Sequence, residues 1–109
     1  MKKLISIIAI LLAGILFYGC KKDPDHYIRI NNQYPESIDN VIVGTAAFGS
    51  VKSGTITVYK HINDGVSSLS GTTTSGTTVS GIVSISGDGT HRWTLTIFST
   101  GGVTIAEDK

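Results

Sequence analysis

The chain has 109 residues, one cysteine and nearly balanced charge, with nine Lys and Arg against eight Asp and Glu. A near-neutral chain without a basic stripe lacks the electrostatic footprint of a nucleic-acid-binding protein, so no nucleic-acid partner is expected. A single cysteine excludes an internal disulfide, and this length predicts one small domain held together by apolar burial alone.

Residues 1–19 have the pattern of a signal peptide. Lys2 and Lys3 precede an almost unbroken apolar run from Leu4 to Phe17. As a helix this run would rise only about 21 Å, which is short of the roughly 30 Å hydrocarbon core of a bilayer. The segment therefore predicts a helical signal peptide that is removed, not a permanent membrane span.

Cys20 stands where the apolar run gives way to polar sequence. The stretch Phe17-Tyr18-Gly19-Cys20 resembles the lipobox of bacterial lipoproteins. The resemblance implies that a diacylglycerol is attached to the Cys20 sulfur, that the signal is cut before it, and that the new N-terminus is acylated, typically with palmitate. Because two or more acyl chains anchor a protein stably, we expect Cys20 to hold the protein on a membrane.

Residues 20–26 follow as the lipidated cysteine and a polar tether, in which Pro24 cannot continue a helix. Lys21 stands where inner-membrane lipoproteins of enteric bacteria carry Asp, so the resemblance implies the outer membrane. The run of lysines and acids also resembles a short tag that exports lipoproteins to the outer face, and a solvated linker lying against headgroups is the alternative. Whether the domain faces the periplasm or the exterior stays open.

Residues 27–109 predict an all-β domain. Thr, Ser, Val, Ile and Gly dominate, and apolar residues alternate with polar ones in several short runs. About seven short antiparallel strands predict a small immunoglobulin- or transthyretin-like sandwich. Its predicted core comprises Ile28, Ile30, Val41, Val43, Val51, Ile56, Val58, Val83, Ile85, Trp93, Leu95, Ile97, Val103 and Ile105.

Turn signals organise the second half of the domain. Asp88-Gly89 favours a tight hairpin turn, and the loop Ser99–Gly102 joins the last two strands, so the C-terminal third is expected to be a three-stranded meander. The stretch Ser67–Gly81 is Ser, Thr or Gly at thirteen of fifteen positions. This composition predicts a flexible connection or an edge strand with little packing behind it, and an O-glycosylated or adhesive loop is the functional alternative.

Catalytic and metal-binding motifs are absent from the sequence. No serine lies in a Gly-x-Ser-x-Gly elbow, and no histidine has the spacing of a known metal motif. His61 with Asp64, and Asp88 with His91, lie near predicted turns, where surface histidines and turn-forming aspartates explain them. The prediction is therefore a non-enzymatic protein without metal or cofactor.

Aromatic and basic side chains are the one feature with binding character. Strand parity directs Tyr27, Arg29, Tyr59 and His61 away from the core, with Tyr34 in a loop between them. Exposed tyrosines can stack on sugar rings or anchor a protein partner. The alternative is that these tyrosines only cover the outside of a sheet.

The chain resembles small, single-domain outer-membrane lipoproteins of Gram-negative bacteria. The resemblance rests on the lipobox at Cys20, on Ile38–Gly44, on Phe48–Gly54 and on Tyr59-Lys60. It implies a lipid-anchored envelope module that binds a glycan or an envelope protein or has a structural role. The alternative function is an inhibitor of a host or rival hydrolase, in which a projecting loop over Asn63–Gly71 would block an active site.

Overall fold

The computed structural model describes residues 23–108, which form eight β-strands. Within this range there is no helix long and apolar enough to cross a membrane. The predicted signal peptide over 1–19 and the lipidation site Cys20 lie outside the described residues. The strands are β1 Asp25–Asn32, β2 Ile38–Val43, β3 Ala46–Val51, β4 Lys60–Ile62, β5 Gly65–Thr73, β6 Thr78–Ile85, β7 Thr90–Ile97 and β8 Val103–Asp108.

The strands build two four-stranded sheets that enclose one core. The first sheet has the order β4-β1-β7-β8 and the second has the order β3-β2-β5-β6. The predicted all-β sandwich is confirmed, with eight strands in place of about seven. One pairing differs from the antiparallel prediction, since β1 runs parallel to β7 from Asp25↔Thr90 to Asn32↔Ile97. Period-two alternation determines which side chains face the core, but not which strand lies alongside or in which direction it runs.

Apolar side chains of both sheets alternate inward and fill the space between them. Nine predicted core residues are buried, namely Ile28, Ile30, Val41, Val43, Val51, Val83, Ile85, Leu95 and Ile97. Three more, Trp93, Val103 and Ile105, are partly buried against this core. The prediction missed five buried apolar residues, which are Ile38, Ala46, Ile62, Leu69 and Val79.

Ile56 and Val58 were wrongly placed in the core, because the alternation around them has the opposite parity. Their side chains are 53% and 74% exposed. Thr57, between them, faces β1: its amide donates to the Ile30 carbonyl at 2.9 Å, and its hydroxyl accepts from the Ile30 amide at 2.9 Å. Because the Thr57 side chain takes the place of a backbone acceptor and points toward β1, the side chains of Ile56 and Val58 on either side of it point to solvent.

The Ser/Thr/Gly stretch Ser67–Gly81 is a hairpin, and its prediction as a flexible connection is wrong. It spans most of β5, which lies inside the second sheet, and the first half of β6, which is an edge strand. The alternative of an edge strand is therefore right for β6 only, and its expectation of little packing is wrong. A Cβ added at Gly71 would lie 2.6 Å from the Ile38 side chain, and one at Gly81 would collide with the Val103 side chain. The small residues therefore allow close packing and do not indicate mobility.

The predicted C-terminal meander is also wrong. β6 lies in the second sheet, whereas β7 and β8 pair in the first. Asp88-Gly89 consequently lies in a connection between sheets, where the Gly89 carbonyl accepts the Asp25 amide at 2.9 Å. The predicted Ser99–Gly102 loop is confirmed, because β7 and β8 form a hairpin closed by the Phe98 amide and the Gly102 carbonyl at 2.8 Å.

The folded domain begins two residues earlier than predicted. The predicted tether over 20–26 includes Asp25 and His26, which are the first two residues of β1. His26 is only 1% exposed, so it belongs to the packed interior. The tether, within the described residues, ends at Pro24.

Candidate functional site

Four of the five predicted binding residues lie on the side of the first sheet that points away from the core. We call this side the outer face. β1 buries every second side chain, so Tyr27 and Arg29 project onto the outer face. The antiparallel register places His61 of β4 opposite Tyr27, and the parallel register places Arg92 of β7 on its other side. Tyr59 directly precedes β4 and lies over the same face.

Asp108, the last residue of β8, fixes the positions of Tyr59 and Arg29. Its carboxylate accepts a short hydrogen bond from the Tyr59 hydroxyl and one from the Thr94 hydroxyl at 2.8 Å. Arg29 Nε donates to Thr94 Oγ1 at 3.0 Å and lies 3.6 Å from Asp108 Oδ2. The Arg29 guanidinium also lies 4.8 Å from the centroid of the Tyr59 ring. The Tyr59 ring is therefore held at both its hydroxyl and its face.

This network shifts the pKa values of Tyr59 and Asp108 in opposite directions. The hydrogen bond to Asp108 raises the pKa of Tyr59, and partial desolvation adds to the rise. Desolvation on its own raises the pKa of Asp108, but hydrogen bonds from Tyr59 and Thr94 and the charge of Arg29 together lower it below its ordinary value. Asp108 is thus a carboxylate and Tyr59 a phenol across the neutral pH range.

An open hollow of about 430 Å³ lies on the outer face beside this network. It is lined by Asp25, Tyr27, Tyr59, Thr90 and Arg92. The lining combines two phenol rings with a carboxylate, a hydroxyl and a guanidinium. Such a set can pack against an apolar ring face and can both donate and accept hydrogen bonds around its rim.

The carboxylate on one side of the hollow already has partners within the protein. Asp25 Oδ1 lies 3.6 Å from His61 Nε2, and Asp25 Oδ2 accepts from the Thr90 hydroxyl at 3.4 Å. The His61 ring meets the Tyr27 ring edge-on, with 5.7 Å between centroids and 82° between planes. The Tyr27 and His61 rings therefore form a corner and do not make one flat platform.

Tyr34 does not belong with the other predicted binding residues. It follows the C-terminal end of β1, whereas the hollow lies at the N-terminal end of that strand. Its ring is partly buried against the core, and its carbonyl accepts a hydrogen bond from Ser53. Tyr34 therefore closes the opposite end of the sandwich and has no place in the hollow.

A buried histidine lies on the inner side of β1, beneath the hollow. The indole N–H of Trp93 donates to His26 Nδ1 at 3.1 Å, and an indole nitrogen can only donate. In the neutral ring the proton therefore resides on Nε2, which donates to Asp64 Oδ1 at 2.9 Å. Asp64 thus pairs with His26, whereas the sequence grouped it with His61. The parity that His26 shares with Ile28 was the signal that could have found this buried position.

His91 stacks on His26, with 5.4 Å between ring centroids and 25° between planes. Its Nδ1 lies 3.0 Å from Glu107 Oε2 and its Nε2 lies 2.8 Å from the Asp88 carbonyl oxygen. Both partners only accept, so the doubly protonated ring satisfies both contacts. Accordingly, the Glu107 hydrogen bond, followed by that to the Asp88 carbonyl, raises the pKa of His91. The sequence grouped His91 with Asp88, and in the structure the contact between them involves the backbone carbonyl of Asp88.

Among residues 23–108, no three His, Cys, Asp or Glu side chains are arranged to hold a metal ion. The ring nitrogens of His26 and His91 are engaged with protein groups. These two histidines therefore act as hydrogen-bonding and packing groups.

Comparisons with protein-family models, with curated proteins and with solved structures found no match for this chain. The functional interpretation consequently depends on the geometry of the outer face.

Proposed function

We propose that this protein is a non-enzymatic binding module of the bacterial outer membrane, anchored by lipid at Cys20, that binds a glycan in the hollow of its outer face. The observation that carries the proposal is the convergence of two tyrosines with a carboxylate, a hydroxyl and a guanidinium around one open hollow. Sugars present apolar C–H faces and a rim of hydroxyls, which phenol rings and mixed polar groups match.

The fixed position of Tyr59 supports this proposal. Its hydroxyl is held by Asp108 and its ring lies against Arg29, so little side-chain entropy remains to be lost on binding. A tyrosine that only covered a sheet would need neither contact. A glycan is favoured over a protein partner, because the hollow is lined by five residues and a standard protein interface has about 20–30 residues a side.

The segment that the inhibitor alternative named gives it no support. It required a projecting loop over Asn63–Gly71, but only a short turn precedes β5, which begins at Gly65 and lies between β2 and β6. A strand inside a sheet cannot enter the active site of a hydrolase.

The proposed anchor and the hollow lie close together along the chain. Five peptide steps separate Cys20 from Asp25, and they span at most about 18 Å when extended. Asp25 itself lines the hollow. A lipid on Cys20 would therefore keep the hollow near the headgroups, where membrane-attached glycans and the cell wall are within reach.

Glycan binding is tested with the full chain, purified in detergent, on an array of neutral, carboxylated and sulfated glycans. We expect a defined group of glycans to bind and the Tyr27→Ala variant to bind them about tenfold more weakly. Phe98→Ala is the matched control, because Phe98 is an exposed aromatic residue (41%) at the opposite end of the sheet. An array without ligands, or equal losses in both variants, would contradict the proposal.

The anchor is tested by growing cells with a clickable fatty acid. Cys20→Ala should abolish labelling and leave the full-length precursor, and continued labelling would exclude the anchor. Antibody labelling and protease shaving of intact cells then distinguish the two faces of the outer membrane. Shaving indicates the exterior, and protection indicates the periplasm.

A further inference from the structure

The two arginines of the outer face, Arg29 and Arg92, differ in how many polar partners they have within the protein. Arg29 donates to Thr94 and lies beside the Asp108 carboxylate. Arg92 has no hydrogen bond or ion pair with any residue of the described range. The strand register places it beside Tyr27 and Asp108, and its guanidinium carbon lies 5.9 Å from the centroid of the Tyr59 ring. Arg29 is thus hydrogen-bonded within the protein, whereas the N–H groups of Arg92 have no acceptor among the described residues.

The two charged groups of the hollow are engaged to different degrees. Asp25 has His61 and Thr90 as partners, so its capacity as an acceptor is partly used. The Arg92 guanidinium offers five N–H donors in a planar fork that matches a carboxylate. Within the described residues, the hollow therefore contains one charged side chain without a hydrogen-bonding partner, and that side chain is the cation Arg92.

The spacing of these groups suits a single sugar ring. The parallel register pairs Asp25 with Thr90 and Tyr27 with Arg92, so the acidic and basic sides are two residues apart along adjacent strands. Two residues of a β-strand span about 7 Å. A pyranose ring with a carboxylate at one end and hydroxyls at the other bridges this distance, and Tyr27 and Tyr59 line the space between.

We infer that the hollow recognises a carboxylated sugar, with the carboxylate on Arg92, a ring hydroxyl on Asp25 and the ring face against tyrosine. This inference rests on the proposed glycan binding and adds the chemical class of the ligand. Arg92 determines the preference for an acidic ligand, and the tyrosines bind acidic and neutral sugars alike.

The test compares matched ligands by titration calorimetry with the full chain. The probes are a uronic-acid trisaccharide, its carboxyl-reduced form, sialyllactose and lactose, together with any glycan that the array identifies. We expect the carboxylated member of a binding pair to bind at least about tenfold more tightly than its neutral counterpart. We also expect this preference to shrink with added salt, because the contact is between exposed charges.

Variants of Arg92 assign the preference to this residue. Arg92→Gln should weaken binding of the acidic ligand much more than binding of its neutral counterpart and so remove the difference between them. Arg92→Lys should restore only part of that difference, since the planar fork is lost. Lys52→Gln removes an exposed positive charge following β3 of the other sheet and should change nothing.

The failures of the two proposals are distinguishable. If neutral and acidic partners bind equally, if sulfated glycans are preferred, or if Arg92→Gln weakens both members of a pair alike, the carboxylate inference is overturned and glycan binding stands. If no glycan binds at all, the proposed function fails and the inference fails with it.

Discussion

Replacing Gly71 by alanine tests whether the Ser/Thr/Gly hairpin is closely packed. The backbone of Gly71 lies outside the left-handed region, so alanine is compatible with its conformation. The added Cβ would, however, lie 2.6 Å from Cγ2 of Ile38, a fully buried residue, and 3.4 Å from Cγ2 of Val41. Ile38 is β-branched and restricted at χ1, so it cannot easily turn aside.

The expected magnitude combines two opposing effects. Overpacking a core costs about 1–3 kcal/mol, while replacing glycine by alanine stabilises by about 0.4–1 kcal/mol through the unfolded chain. Gly71→Ala should therefore lower the free energy of unfolding by about 1–2 kcal/mol. With a urea dependence of about 1–2 kcal/mol per molar for a chain of this size, the unfolding midpoint should fall by roughly 1 M.

Gly102→Ala is the matched control, because its Cβ would meet nothing closer than 3.6 Å and its backbone is also outside the left-handed region. It should be neutral or stabilising by up to about 1 kcal/mol. The assay is urea unfolding of the full chain, followed by the fluorescence of Trp93, the single tryptophan. A Gly71→Ala protein as stable as the Gly102→Ala protein would refute close packing and would show that the hairpin is loosely packed.

Three further predictions concern titration and packing. The hydrogen bond to Asp108 raises the pKa of Tyr59. The stability that this bond contributes is therefore present below the ordinary value of 10.0 and is lost as pH rises through the raised pKa. Tyr59→Phe should flatten the alkaline part of a plot of unfolding free energy against pH. The hydrogen bond to Glu107 is the chief cause of the raised pKa of His91. The stability that protonated His91 contributes is therefore complete below pH 6.5 and is lost as pH rises through the raised pKa. Glu107→Gln should diminish the change of melting temperature with pH in thermal melts between pH 5 and 8. Trp93→Ala should destabilise the domain by about 2 kcal/mol in melts followed by circular dichroism, less than for a fully buried ring, and a loss below about 1 kcal/mol would show that the ring is not packed.

The sequence predicted the faces of most strands, because a one-residue shift would move every apolar side chain into solvent. That constraint located Ile28, Ile30 and Leu95 in the core and turned Tyr27 outward. It failed at Ile56 and Val58, where Thr57 replaces regular pairing with a side-chain hydrogen bond. Alternation therefore gave the wrong faces for this segment, which lies outside the named strands.

The sequence could not reveal which strands are neighbours. Pairing of β1 with β7 joins segments more than sixty residues apart, and nothing local to either segment states it. The contacts of Tyr59 with Asp108 and of His26 with Trp93 depend on the same pairing of distant strands. The glycine content led to a different error. It predicted flexibility around Gly71, whereas the fold requires the Gly71 backbone to approach the Ile38 side chain closely.

The hollow and the buried histidine lie on opposite sides of the same strand segments, and this arrangement explains how an open site can be held in place. Asp25 and Tyr27 project outward from β1, while His26 between them projects inward. His26 accepts from Trp93 of β7 and donates to Asp64 beyond β4, so one imidazole joins three neighbouring segments beneath the hollow. Because a fully buried ring with both nitrogens engaged fixes the backbone on either side of it, the outward side chains project from a fixed strand, and their own contacts with His61 and Thr90 then orient them. The polar groups beneath the sheet thereby preorganise the binding surface above it.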